Sequence, residues 1–240
     1  MSNMQPEEKK AFALLPEGPD HAWPFALVCG LFLLNLLIQT VLVLIFYPYA
    51  DSILLNFLLT ILQAALTTLP LIFIIKNYFR RPLSALGFVR APFWRVVGIG
   101  LLSGLVIWVL MLIVSFLSAL VFGPPQETQT VVEWLVGADS FGGKFMMVFM
   151  IVVLAPLSEE IFYRGFLFAY MRKYLGPVWG IIIAGFIFGL IHFELAHLLP
   201  LALTGMALCW LYDRFSNIWI NILAHAAFNG IQVLLLFLLP

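Results

Sequence analysis

Seven apolar runs, parted by short polar breaks, follow one another along the chain. The first covers about 24–46 and the second about 53–75, with the aromatic turn Tyr47-Pro48-Tyr49-Ala50-Asp51 between them. A third extends from about Val96 to Phe122, and a fourth from about Phe145 to Tyr170. Arg172-Lys173 and Gly176-Pro177 end the fourth, a fifth starts near Val178, a sixth lies around Leu198–Tyr212, and a seventh covers about 218–239. A helix needs about 20 apolar residues to cross a hydrocarbon core about 30 Å thick. The pattern therefore predicts an all-α polytopic membrane protein, a bundle of about seven transmembrane helices. The bounds are six and eight, because the tightly connected stretch from Val178 to Tyr212 has room for a hairpin or a re-entrant piece.

Three regions follow: a polar tail at 1–23, three apolar helices in 24–122, and a C-terminal core at 145–239. The loop 123–144 is the one sizeable piece expected outside the membrane, and could serve as a lid. There is no solenoid repeat and no low-complexity segment. The apolar run after the tail is too long for the core of a cleaved signal peptide, and none is expected.

Composition agrees with a bilayer protein: 63% of the 240 residues are hydrophobic and 10% are charged, with a mean hydropathy of +1.07. Net charge is zero, so nothing points to nucleic acid, and the informative quantity is where the charges sit. Lys9 and Lys10, the five basic residues of 76–95, Arg172 and Lys173, and Arg214 make ten of twelve basic residues on one side if the amino terminus is cytoplasmic. That orientation, in a multi-pass protein of the cell membrane, is the expectation. Cys29 and Cys209 are far apart in apolar runs and read as packed thiols.

The charges that break this logic are in the fourth run, where Ser158-Glu159-Glu160-Ile161-Phe162-Tyr163-Arg164 stands among Met, Val, Phe, Leu and Ile. A charge at the centre of a membrane helix costs on the order of 2.5–3.5 kcal/mol on insertion scales, so such groups face the protein interior and mark function. Glu160 and Arg164 are four apart and can pair on one helix face. Glu159 lies about 100° round and is left over, with the surroundings of a general base. A purely structural Glu-Arg lock is the plainer alternative.

Two further runs carry polar residues. His192 follows Gly185 and Gly189, whose spacing lets another helix come close. The last run carries Asn221, His225, Asn229 and Gln232 as one polar stripe. Interhelical hydrogen bonding is the simpler reading of Asn221 and Gln232, and Glu194 and His197 read as loop or interfacial residues. By helical rise, Glu159, His192, His225 and Asn229 reach overlapping depths. No Gly-x-Ser-x-Gly, His-Glu-x-x-His or paired membrane aspartates occur, so activated water is the chemistry left: a carboxylate and an imidazole to deprotonate it, a second imidazole and an amide for the oxyanion.

Glu159-Glu160-x-x-x-Arg164, Phe188-x-x-x-His192 and His225-x-x-x-Asn229, in that order, resemble the three motifs of the CPBP family, the type II CAAX prenyl endopeptidases and their bacterial relatives. The resemblance covers roughly 145–239 and implies a CAAX protease-like core there. It implies an intramembrane endopeptidase in which Glu159 and His192 activate water and His225 with Asn229 stabilises the oxyanion, with Glu160 and Arg164 orienting the site. The partners would be membrane lipid and a hydrophobic or lipidated peptide. No cofactor is expected, although Glu159, His192 and His225 could ligate zinc. A non-catalytic scaffold or immunity protein and a proton-coupled transporter are the competing classes.

Overall fold

A computed structural model describes residues 23–46, 52–123 and 129–238. Almost all of the amino-terminal tail, the turn at 47–51 and part of the loop at 123–144 lie outside the described residues. The described chain is helical, with no strand among its elements. In order come α1 Phe25–Phe46, α2 Ile53–Tyr78, α3 Phe93–Phe122, the short α4 Thr130–Val136, the long α5 over 141–175, α6 over 177–190, α7 Leu198–Phe215 and α8 Ile218–Leu238. Among the described residues seven helices of 14 residues or more therefore stand where seven apolar runs were read, and five helical stretches are long and apolar enough to cross a membrane. This is an all-α, multi-pass integral membrane protein.

Local chemistry sets several boundaries. Ser52 and Ser140 start α2 and α5 as N-caps, their hydroxyls accepting from the backbone N–H of Leu55 at 3.3 Å and of Gly143 at 3.0 Å. Gly176, at φ 76° and ψ 170°, parts α5 from α6. A side chain disfavours that conformation, and Pro177 then supplies the fixed φ that opens a new helix.

Two elements differ from the sequence expectation. Helix α5 is longer than the run at 145–170, because its ends at 141–144 and 171–175 are polar enough to leave the apolar window yet remain good helix. Helix α6 is shorter: its 14 residues rise only about 21 Å, well under the bilayer core. It ends at Leu190, so His192 sits in the turn just beyond the helix, not on its packed stripe as the sequence suggests.

Helix packing depends on missing side chains. A Cβ on Gly185 would lie 2.6 Å from the backbone nitrogen of Met206, and one on Gly189 would lie 2.8 Å from that of Ala202, so α6 presses directly on α7. The same device, not singled out from sequence, joins α3 to α8, where a Cβ on Gly104 would lie 2.5 Å from the Ala224 carbonyl oxygen. Gly104→Ala is therefore expected to lower the thermal midpoint in detergent, by the equivalent of about 1–3 kcal/mol of overpacking. Gly98→Ala, with nothing within 4 Å of its new methyl, should leave the midpoint unchanged or raise it, since Ala is the better helix former.

Candidate active site

The site is built around the middle of α5, where the backbone departs from the α-helix. Met150–Leu154 and Glu160–Phe168 are wound as π-helix, a widened form found frequently at functional sites. Every residue from Glu160 to Phe168 is buried. Helices α6, α7 and α8 pack round this segment, and they supply its partners.

Glu160 and Arg164 form the pair that their spacing predicts, with Arg164 Nη1 donating to Glu160 Oε1 at 2.8 Å and both side chains fully buried. The carboxylate is shared more widely than sequence indicates. His225 Nδ1 donates to the same oxygen at 2.8 Å, and Asn221 Nδ2 donates to Oε2 at 3.2 Å and to the Leu208 carbonyl at 2.8 Å. Asn221, read as interhelical glue, is thus also a second-rank member of the site. Its position one turn before His225 was the signal that could have found it. Arg164 adds a bond from Nη2 to the Gly205 carbonyl at 3.4 Å and stands 4.3 Å above the Phe188 ring.

Phe188, the first residue of the second motif, draws the site together. Its ring lies 4.8 Å from the His192 ring, 6.1 Å from the His225 ring and 5.5 Å from that of Tyr163, each edge-on, while the guanidinium covers it. Its backbone carbonyl receives His192 Nδ1 at 2.7 Å. A carbonyl can only accept, so the His192 hydrogen is on Nδ1 and Nε2 carries the free lone pair. The ionised Glu160 likewise fixes hydrogen on Nδ1 of His225, which leaves its Nε2 outside that bond. Sequence spacing cannot show either tautomer.

Glu159 differs from Glu160 in every respect. It is half-buried, and among the described residues it has no hydrogen bond and no ion pair. Asn229 is less free than expected, because Nδ2 donates to the Ile151 carbonyl at 2.8 Å, inside the first π-wound segment. One N–H of that amide is committed to holding α8 against α5, and the other remains.

Glu194 and His197 lie in the turn after α6, as the sequence suggested. Glu194 accepts from Gln129 Nε2 at 2.9 Å and is 3.8 Å from His197 Nδ1, which ties the start of α4 to the turn that carries His192. Glu159, His192 and His225 do not form a set of donors placed to hold an ion. Among the described residues no three His, Cys, Asp or Glu side chains do. Both cysteines are free thiols, with Cys209 buried.

Comparison with known proteins bears on this same half of the chain. Residues 141–231 match the family model described as type II CAAX prenyl endopeptidase Rce1-like, a span that contains all three motifs. A protein of Bacillus subtilis (strain 168) named "Putative membrane peptidase YdiL" is 29% identical over 115 residues. The aligned part is 48% of this chain and 46% of that protein, so the chain spans about half the length of the curated relative it matches. No solved structure matches the chain. The family resemblance read from the motifs is thus borne out, over the segment that builds the site.

Proposed function

We propose that this chain, Rce1-like over residues 141–231, is an intramembrane endopeptidase that hydrolyses a peptide bond in a membrane-embedded or lipidated substrate. The observation that carries the reading is the pair of imidazoles against Phe188, each with Nδ1 tied to a fixed acceptor and Nε2 left free. Glu159 and Nε2 of His192 hold a water and take its proton. The water oxygen bonds to the substrate carbonyl carbon, and the carbonyl electrons move to oxygen. His225 stabilises that oxyanion as an imidazolium held against Glu160, together with the uncommitted N–H of Asn229. As the C–N bond breaks, Glu159 passes the proton to the departing amine, and the charge balance is restored.

Electrostatics favour these roles. One buried carboxylate, Glu160, accepts from both Arg164 Nη1 and His225 Nδ1, which holds the His225 ring with Nε2 turned away from the carboxylate. A scaffold explains Glu160, Arg164 and Asn221, whose hydrogen bonds are internal. It gives no reason for Glu159, a carboxylate left without a bond among apolar helices. The reaction is read as metal-free, which the ungrouped donors favour. The amino terminus is placed on the cytoplasmic side of the cell membrane, on the distribution of basic residues.

The test is purified protein in detergent with a panel of hydrophobic and prenylated peptides. Wild-type protein should cleave at least one, His192→Ala should cleave none while keeping its melting behaviour, and dialysis against EDTA or 1,10-phenanthroline should leave the rate unchanged. Loss of activity on chelation, restored by zinc, would overturn the metal-free step. Proton-coupled flux in liposomes without peptide cleavage would favour the transporter.

A further inference from the structure

The turn that carries His192 has little local support. It leaves α6 through two backbone bonds, from His192 N–H to the Gly189 carbonyl at 3.4 Å and from Phe193 N–H to the Leu190 carbonyl at 3.1 Å. Phe193 then takes a φ of 55°, a left-handed conformation that a Cβ disfavours and that persists only where the surroundings hold it. Its own ring supplies no such hold, being 78% exposed. The bond from His192 Nδ1 to the Phe188 carbonyl sets the tautomer and rotation of the imidazole, but not the path of the backbone beyond it.

Support comes from another part of the chain, one residue past Phe193. Gln129 Nε2 donates to Glu194 Oε2 at 2.9 Å, across 65 residues of sequence. Among the described residues this is the one side-chain hydrogen bond that joins 191–197 to anything other than α6 and the turn itself. The donor is anchored. Gln129 stands at the N-cap of α4, where its backbone carbonyl accepts from Val132 N–H at 2.9 Å and Glu133 N–H at 3.2 Å, while its side chain makes no capping bond and reaches out instead. Helix α4 is fixed in turn by Leu135, which is 1% exposed and packs with Met147 and Met150 of α5 and Val233 of α8. The bond therefore runs from the two helices that carry Glu159, His225 and Asn229 to the turn that carries His192.

We infer that Gln129 and Glu194 are positioning residues, whose bond sets the turn at 191–194 and with it the place of His192 relative to the groups on α5 and α8. The inference rests on the proposed peptidase reading. It gives a part in the reaction to two residues outside all three motifs, one of them, Gln129, outside the segment 141–231 that matches the family. A reacting group misplaced by about 1 Å can cost about 10²-fold in rate, so a single distant bond suffices to matter. Both side chains are half-buried, and loss of their bond leaves them within reach of water and should not unfold the protein.

The peptide-cleavage assay tests this with four variants, each checked for its melting midpoint in detergent. Gln129→Leu should lower kcat about tenfold, with KM within about twofold of wild type and the midpoint unchanged, the split of a group that acts on the water-activating imidazole and not on substrate binding. Glu194→Gln should stay within about threefold of wild type, because its amide oxygen still accepts from Gln129. Gln129→Glu sets two carboxylates against each other and should lose at least as much as Gln129→Leu. The exchange Gln129→Glu/Glu194→Gln reverses donor and acceptor, and should restore kcat to within about threefold of wild type. That recovery remains informative if Gln129→Leu fails to fold. Wild-type kcat in Gln129→Leu, a change confined to KM, a loss of kcat that only follows a lowered midpoint, or no recovery in the exchange would each overturn the positioning role while leaving the peptidase reading intact. Absence of cleavage by the wild type itself would overturn both.

Discussion

Arg164→Met is expected to destabilise the folded protein by about 3–5 kcal/mol, the usual effect of removing one partner from a buried ion pair. Both side chains are fully buried at 2.8 Å. Arg164 also covers the Phe188 ring at 4.3 Å and reaches the Gly205 carbonyl, so methionine fills much of the volume but returns none of the polar contacts. Glu160 would be left with His225 and Asn221 alone in an apolar interior. Thermal unfolding in detergent should show a sharply lowered midpoint and cleavage should be lost. The companion variant Glu160→Gln/Arg164→Met removes the uncompensated charge as well, and most of the midpoint should return. Its cleavage should not return, since His225 then lacks the carboxylate that holds its imidazolium. A single variant that melts like wild type would mean that the pair is not shielded from solvent in the folded protein.

That separation of stability from catalysis shows which features could be read in the residues. The Glu160–Arg164 bond was legible because i,i+4 spacing survives the change from α- to π-winding, and the α6–α7 contact because Gly185 and Gly189 repeat at a helical interval. The three motifs marked their residues, and a run of apolar residues marked each helix. The winding itself was not legible: nothing in Glu-Ile-Phe-Tyr-Arg-Gly-Phe-Leu-Phe distinguishes a π-helix from an α-helix, since both bury such a sequence equally well. His192 appeared to continue a helix whose apolar pattern carries past Leu190, whereas the backbone turns there and Phe193 takes a positive φ of 55°. Asn221 was read as an interhelical bond, but its bond to the Glu160 carboxylate was not legible. Its partner Glu160 is on another helix, 61 residues away, and such a pairing is set by tertiary packing, which periodicity along one helix cannot express. Gly100 and Gly104, four apart on α3, carried the same signal as the α6 glycines and meet Leu223 and Ala224 of α8.

For Glu159→Gln the expected outcome is a loss of about 10²–10⁴-fold in kcat, the range for removing a positioned general base, with the melting midpoint close to that of wild type. The two halves of this expectation come from different observations. Glutamine has nearly the shape of glutamate, and Glu159 is half-buried with no hydrogen bond or ion pair among the described residues, so the exchange leaves no buried group unpaired and no charge stranded. The chemistry has no such tolerance, because an amide cannot accept and hold the proton that the attacking water must lose. KM should change little, since in the proposed mechanism Glu159 contacts the water and not the body of the substrate. Glu160→Gln, one residue away, should do the opposite in kind: it takes from Arg164 and His225 the negative charge they share and should lower both the melting midpoint and the rate. Two adjacent carboxylates, one altering only kcat and the other altering stability as well, would assign base and support by measurement. If Glu159→Gln cleaved at the wild-type rate, the proton would have to leave through His192 alone, and the carboxylate would be removed from the mechanism.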